Sequence, residues 1–312
     1  MGDVIDLALA RELRSTRGST KPLERAAARR ELTRIRPGAY VDATEWRMAD
    51  DAERHRTAVY AARAAARSEP TFSHESAAAL HRIPTVGEWP LRPVVTLPRG
   101  RGCSTRVVER VHRDLDPEDI VEFDDGIRAT SAARTAIDLA ARRSPLSAVI
   151  AMSHVRNAGV GDAELDAAFD RAGRMAGIRS ARIVRSESSA LSESPLETLV
   201  MVRCRDLGFA EPEQQRVVRG ADGVPYRVDF AWRDGRILGE ADGRLKYRSV
   251  EGAPTPQQVL WAEKRREDAL RIRCDRFVRI AWEDAWHGAG LEALLVEAGV
   301  PRVGMPRRRL TF

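Results

Sequence analysis

Tyr226-Arg227-Val228-Asp229-Phe230-Ala231-Trp232, then Arg233-Asp234-Gly235-Arg236, then Ile237-Leu238-Gly239-Glu240-Ala241-Asp242 is the stretch that decides the fold. Two β-prone runs flank Asp234-Gly235, a favoured pair for a two-residue hairpin turn. With that turn, Arg233 pairs with Arg236, Trp232 with Ile237, Ala231 with Leu238 and Phe230 with Gly239. Asp229 then faces Glu240, and directly opposed side chains share one face of the hairpin. Asp242, two residues beyond Glu240, points the same way. Val228, Phe230, Trp232 and Ile237 point to the other face and are candidate core. Opposed like charges weaken a sheet unless a cation or a raised pKa compensates. A hard divalent ion with oxygen ligands, Mg²⁺ or Mn²⁺, suits Asp229, Glu240 and Asp242. Arg227, opposite Asp242 in the same register, offers the competing reading of an ordinary cross-strand ion pair. A slip of one residue would separate the acids altogether.

Outward from the hairpin the elements are regular. Ser194-Pro195-Leu196-Glu197 opens a helix that runs to about Leu207, with Gly208 as a stop signal. EQQRVVRG is a strand before the hairpin. A long helix over about Thr255–Cys274, the strand RFVRIAW and a last helix over about Glu283–Ala298 follow it. Glu197 lies three residues after Ser194, so a capping box accounts for it as well as chemistry does. Lys264, Arg265 and Arg266 suit phosphate contacts, but Glu263, Glu267 and Asp268 around them equally suit a solvated, salt-bridged face. Lys246 follows a turn-like Gly243 and is either exposed or chemically used. Residues 301–312 read as a basic tail.

SPLETL, RVDFAW, GEADGRLKY, AEKRREDALR and RFVRIAW, in this order over about Ser194–Trp282, resemble the PD-(D/E)XK restriction-endonuclease-like superfamily. The nearest branch is the one related to very-short-patch-repair endonucleases. The resemblance implies an αβββαβ core. It also implies that Asp229 and Glu240 hold a catalytic Mg²⁺ or Mn²⁺ and that Glu197 supports them. In that branch the third strand reads Glu-x-Asp-Gly-x-x-His, and here Lys246 stands at the last position. The implied activity is metal-assisted phosphodiester hydrolysis, in which Lys246 stabilises negative charge on the phosphate.

The N-terminal third has the opposite charge design. Basic residues total 52 and acidic residues 46, a net of +6. Between Arg11 and Val41 alone, nine basic residues stand against three acids. Thr20 caps an expected helix over Lys21–Glu31, on which Lys21, Arg25 and Arg29 recur four apart along one face. Pro37-Gly38 turns the chain between two strands, Leu32–Arg36 and Ala39–Asp42, which carry Arg34 and Arg36. A short first helix around Asp6–Arg14 completes the helix, helix, hairpin order of a winged helix-turn-helix. A basic face of this kind suits the major groove and DNA phosphates; an Arg-rich soluble helix is the plainer reading.

RRELTRIRPGAYV and SHESAAALHRIP…VVTLPRGR…VHR…GIRATSAARTAIDLA, over about Lys21–Ala141, resemble the AbiEi family of type IV antitoxins. That resemblance implies a winged-helix DNA-binding module, operon autoregulation and a nucleotidyltransferase-like toxin as partner. Ser73 is expected to cap HESAAALHR; His74 and His81 within it have no ligand pattern around them, and packing accounts for both.

Composition removes other classes. Hydrophobic residues make up 43%, enough for packed cores. No stretch approaches the ~20 apolar residues of a membrane span, and the N-terminus does not read as a secretory signal. Cys103, Cys204 and Cys274 form no CxxC pair, so a zinc ribbon or disulfide framework is not supported. The expectation is therefore a cytoplasmic, DNA-binding, mixed α+β protein without a membrane partner. Residues 1–47 form a winged-helix-like segment, 48–185 an antitoxin-like domain, 186–300 a nuclease-like domain, and 301–312 the tail. The alternative function is a non-enzymatic antitoxin-like regulator built on a degenerate nuclease fold.

Overall fold

The structure is a computed structural model that describes residues 5–17, 19–66, 68–99, 108–123, 125–242 and 256–305. It is mixed α+β. The chain divides into two compact units, Met1–Arg143 with Gly159–Val184 and Ser144–Ala158 with Arg185–Phe312.

The first unit opens with strand β1 (Leu7–Leu9), α1 (Ala10–Arg17), α2 (Lys21–Ala28), β2 (Leu32–Arg36), β3 (Ala39–Asp42) and α3 (Ala43–Met48). The hairpin expected at Pro37-Gly38 is present, with Gly38 at φ 80°. The expected first helix is corrected at its start. Leu7 and Leu9 pair with Val41 and Ala39, giving an antiparallel sheet of order β1-β3-β2. Pairing satisfies backbone groups that β3 would otherwise present at an open edge. Asp42 caps α3, its Oδ1 accepting the N–H groups of Thr44 at 2.7 Å and Glu45 at 2.9 Å.

Next come α4 (Asp51–Ala65), β4 (Thr71–Phe72), α5 (His74–His81), β5 (Val94–Leu97), β6 (Glu109–His112), β7 (Ile120–Glu122), β8 (Arg128–Thr130) and α6 (Ala132–Arg142). The strands form a sheet of order β6-β5-β4-β8-β7. Val59, Ala62, Phe72, Leu80, Val95 and Ile127 pack between α4, α5 and this sheet. The chain then leaves the unit for α7 (Pro145–Asn157) and returns for α8 (Asp162–Ala172), before α9 (Ile178–Glu187). Ser73 does not cap α5 through its side chain. Its hydroxyl instead accepts a bond from Thr96 at 2.8 Å, tying the start of the helix to β5.

One buried polar set in this unit closes on itself. His55 Nδ1–H donates to Pro90 O at 3.0 Å, while Nε2 accepts from the Ser76 hydroxyl at 2.9 Å. Ser76 Oγ in turn accepts the Val94 N–H at 2.7 Å. Burial pushes the His55 imidazole down from 6.5 to about 4. The neutral ring therefore contributes stability that is fully present above pH 6.5 and lost as the pH falls through about 4. We expect acidification across that window to weaken the unit by on the order of 3 kcal/mol. His55→Gln should flatten that part of the stability–pH curve in urea melts; a slope matching the native one would assign it to other groups.

The second unit contains α7, α10 (Pro195–Asp206), β9 (Glu213–Arg219), β10 (Pro225–Trp232), β11 (Ile237–Ala241), α11 (Pro256–Arg271), β12 (Arg276–Ile280), α12 (Trp282–His287) and α13 (Ala289–Ala298). The sheet order is β12-β11-β10-β9. β9, β10 and β11 are antiparallel neighbours, and β12 is parallel to β11. Parallel neighbours need a crossover, and α11 supplies it. Val228, Ala231 and Leu238 pack with Leu270 of α11. On α10, Leu199, Val200 and Cys204 are fully buried, and α7 packs against this helix. The single last helix expected from the sequence is broken at Gly288, whose φ of 78° ends α12 before α13 begins.

Candidate active site

The hairpin register is the one read from the alternation: Phe230 opposite Gly239, Ala231 opposite Leu238, Trp232 opposite Ile237. The turn differs. Arg233, Asp234 and Gly235 all take left-handed backbone, at φ 51°, 56° and 84°, in a four-residue connection. Its length is even, so every side chain keeps the face the shorter turn would have given it.

One step beyond Phe230–Gly239, the register sets Asp229 on β10 beside Glu240 on β11. Asp229 Oδ2 accepts the Ala241 N–H at 2.9 Å, which fixes the carboxylate against the end of β11. Glu240 is buried, at 9% exposure. Arg266 of α11 brings Nη2 to 2.5 Å from Glu240 Oε1. The same nitrogen donates to Arg227 O at 2.6 Å, and its approach to Glu240 Oε1 is an ion pair without an aligned hydrogen bond.

Arg227 turns away from the expected pairing with Asp242. It makes two bonds to Glu193, at 2.7 and 2.8 Å. Asp242 is exposed just past β11, where its N–H donates to Ile280 O at 2.9 Å. The three acids on which a three-carboxylate metal site was expected therefore do not gather. Among the described residues, no three His, Cys, Asp or Glu side chains are close enough to hold a metal ion.

Glu197 has the capping character expected of it. Ser194 Oγ accepts the Glu197 N–H at 3.1 Å and donates back to Glu197 Oε1 at 2.8 Å, a reciprocal cap at the start of α10. Glu197 Oε2 takes the Glu193 N–H at 2.9 Å and Gln215 Nε2 at 2.8 Å. Burial pushes the Glu197 carboxyl above its ordinary range. The nearby Asp229 charge pushes the same way, against the hydrogen bonds from Glu193, Ser194 and Gln215. Lys246 lies outside the described residues.

Lys264 and Arg265 are exposed on α11. Their flanking acids face elsewhere: Glu263 and Glu267 bind Arg279 of β12, at 3.3 and 2.6 Å. Trp261, 61% exposed, precedes them by three and four residues and so shares their helix face. The sequence reading passed over it, although Trp at that spacing from two cations was visible.

In the first unit, Lys21, Arg25 and Arg29 are exposed on or just after α2. Arg29 is held by Glu31 at 2.7 and 3.0 Å. Arg34 is exposed on β2, but Arg36 is turned inward and donates to Ala61 O. It borders a cavity of about 230 Å³ lined by Ile35, Pro37, Ala58, Leu91, Arg92 and Pro93. His74 and His81 serve packing: His74 contacts Ser73 Oγ at 3.0 Å, and His81 donates to Thr130 O at 2.8 Å. Among the described residues no helix is long and apolar enough to cross a membrane. Cys204 is fully buried, which pushes its thiol up to about 12; Cys103 lies outside the described residues.

The residues present fit a hard cation of the Mg²⁺ kind, which is typically held by one or two carboxylates, with water and phosphate completing its shell. Asp229 and Glu240 are those two carboxylates, and a cation there would take the place that the Arg266 guanidinium holds at Glu240 Oε1.

No family model matches the chain. Two curated proteins of Mycobacterium tuberculosis are similar to it: uncharacterized protein Rv2248 of strain H37Rv and uncharacterized protein MT2308 of strain CDC 1551. Each is 29% identical over 136 residues, which cover 43% of this chain and 48% of the relative. The chain thus spans about half the length of the curated relatives it matches.

Proposed function

We propose that the second unit is a metal-dependent DNA nuclease domain and that the first unit binds DNA. The observation that carries the reading is the Asp229–Glu240 juxtaposition on two central strands, with Gln215 of β9 held by Glu197 from the start of α10. Asp229 and Glu240 would hold Mg²⁺ or Mn²⁺. Bound there, such an ion supplies Lewis acidity at a phosphate oxygen and a water of lowered pKa. The chain's own groups do the rest. The Ala241 N–H keeps Asp229 oriented, and Glu197 anchors the Gln215 amide. Lys264 and Arg265 bind flanking phosphates, and Lys246 stabilises charge on the scissile phosphate. The test is incubation of the full chain with supercoiled plasmid and with single-stranded DNA, in Mg²⁺, in Mn²⁺ and in chelator. Metal-dependent breaks are expected; intact substrates in both metals would end the nuclease reading.

The Arg266–Glu240 ion pair favours a second reading. An Arg that already neutralises the acid suits a nuclease-like fold retained as a platform, in a non-enzymatic, type IV antitoxin-like regulator with a nucleotidyltransferase-like toxin as partner. Intact DNA together with sequence-specific operator binding would be its signature.

DNA binding by the first unit rests on Lys21, Arg25 and Arg34. We expect Lys21→Ala and Arg25→Ala each to reduce the slope of log K against log salt by about 0.9, one phosphate contact apiece. Fluorescence-anisotropy titrations at several salt concentrations measure it. A slope unchanged in the double variant would move the interface off α2.

A further inference from the structure

Gln215 was not among the residues singled out by sequence, yet it lies in the same cross-strand row as the hairpin acids. Arg216 pairs with Val228 and Gln214 with Phe230, so Gln215 sits beside Asp229 on β9 as Glu240 sits beside it on β11. Its backbone is left-handed, at φ 54°, within a strand. Its amide Nε2 donates to Glu197 Oε2 at 2.8 Å. That oxygen also accepts the Glu193 N–H, so it acts as an acceptor, and the amide nitrogen must be the group facing it. The amide oxygen is then committed to the other side. Gln215 Oε1 is buried and has no hydrogen-bond donor among the described residues.

Within this unit, the described buried side-chain polar atoms lacking a hydrogen bond are two acceptor oxygens, Gln215 Oε1 and Glu240 Oε1. They belong to the two residues that flank Asp229. Buried acceptors left without donors are rare because desolvation is then uncompensated. Glu240 Oε1 has the Arg266 guanidinium at 2.5 Å without an aligned bond, whereas Gln215 Oε1 has no donor, so the amide oxygen beside Asp229 is the acceptor still open to a hydrated cation.

We propose that Gln215 is a positioning residue for the divalent cation: its amide oxygen, fixed by Glu197, binds the ion or one of its waters on the β9 side of Asp229. The inference rests on the nuclease reading. A neutral amide oxygen is a suitable hard-cation ligand and adds no like charge to a row that already carries two acids. The Glu197 carboxylate acts on the ion through Gln215, by preventing the amide from rotating. Outer partners of this kind typically set metal affinity by about 10–100-fold.

The test is Mn²⁺ alone, titrated into the full-length protein and followed by the electron paramagnetic resonance signal of the free ion. The proteins compared are the native chain, Gln215→Ala, Gln215→Glu and Asp229→Ala. Circular dichroism and metal-free melting control for folding. Gln215→Ala removes the unsatisfied oxygen and should melt within a few degrees of native while losing about tenfold or more in Mn²⁺ affinity. Gln215→Glu should bind at least as well as native, and Asp229→Ala should bind least. Equal affinity in the native and Gln215→Ala proteins, with Asp229→Ala still defective, would overturn the role of Gln215 and leave the nuclease reading standing. No Mn²⁺ binding by the folded native protein would overturn both. Should Gln215→Ala fail to fold, the Glu variant decides: affinity more than tenfold below native would overturn the assignment.

Discussion

Asp229→Ala is expected to lose metal-dependent DNA cleavage by roughly 10²–10³-fold or more, the scale of removing one preorganised electrostatic group from a site. The size follows from position. Asp229 is flanked by Glu240 on one neighbouring strand and Gln215 on the other, and its charge is felt by Glu197 on α10. Deleting it would remove the carboxylate that stands between Glu240 and Gln215. The fold should tolerate the change, because the hairpin register rests on Phe230, Ala231 and Trp232, all buried, rather than on the acid. The lost bond from Ala241 N–H is one hydrogen bond, about 0.5–1.5 kcal/mol. DNA binding through the first unit should persist, since Lys21 and Arg25 lie outside the second unit. Single-turnover cleavage beside anisotropy binding separates the two. Cleavage at the native rate in a folded Asp229→Ala protein would place the chemistry elsewhere.

The largest expected stability effect lies in the first unit. Arg134 is 2% exposed and bridges two buried carboxylates, with Nη1 at 2.8 Å from Asp119 Oδ2 and Nε at 3.0 Å from Asp138 Oδ1. Arg171 adds a bond to Asp119 Oδ1 at 2.8 Å. Truncating one member of a buried ion network strands the others in low dielectric, a cost of about 3–5 kcal/mol. Arg134→Ala should therefore destabilise the unit by about that much, more than any surface ion pair in it, for which about 0–1 kcal/mol is usual. The cost should shrink when Asp138→Asn is added, because part of the penalty is the stranded charge rather than the lost bond. Urea unfolding, followed by Trp46 and Trp89 fluorescence, measures this. A loss below about 1 kcal/mol would mean that water reaches the network.

The hairpin was legible because three independent signals agreed. Alternation set the faces, Asp234-Gly235 set the reversal, and the buried side chains Val228, Phe230 and Trp232 left one register for the acids. Helix α10 carried a cap residue, Ser194, and was readable for that reason. What escaped was non-local or too short. β4 has two residues and β8 three, below any periodicity. β1 is a strand only because β3 offers it a partner. Arg36 has the same local pattern as Arg34 but points inward, toward a carbonyl 25 residues away.

At the candidate site, Asp229 and Glu240 came from the register, whereas their other neighbours did not. Arg266 reaches Glu240 only because the α11 crossover lays the helix beside β11. Gln215 meets Asp229 only through the β9–β10 pairing, and its left-handed backbone leaves no mark in the sequence. Asp242, one strand alternation past Glu240, was placed with the acids by parity. β11 ends at Ala241, and parity ceases to apply where the strand does.

The central claim is that this row of side chains supports hydrolysis of a phosphodiester by water. Its most direct measurement is cleavage of DNA by the native protein in water enriched in oxygen-18, with Mg²⁺ or Mn²⁺ and with a chelator control. Mass spectrometry then reads the products. Breaks that require the metal are expected, with one heavy oxygen in the newly formed phosphate end. Intact DNA in both metals, or product phosphates without label, would contradict the claim.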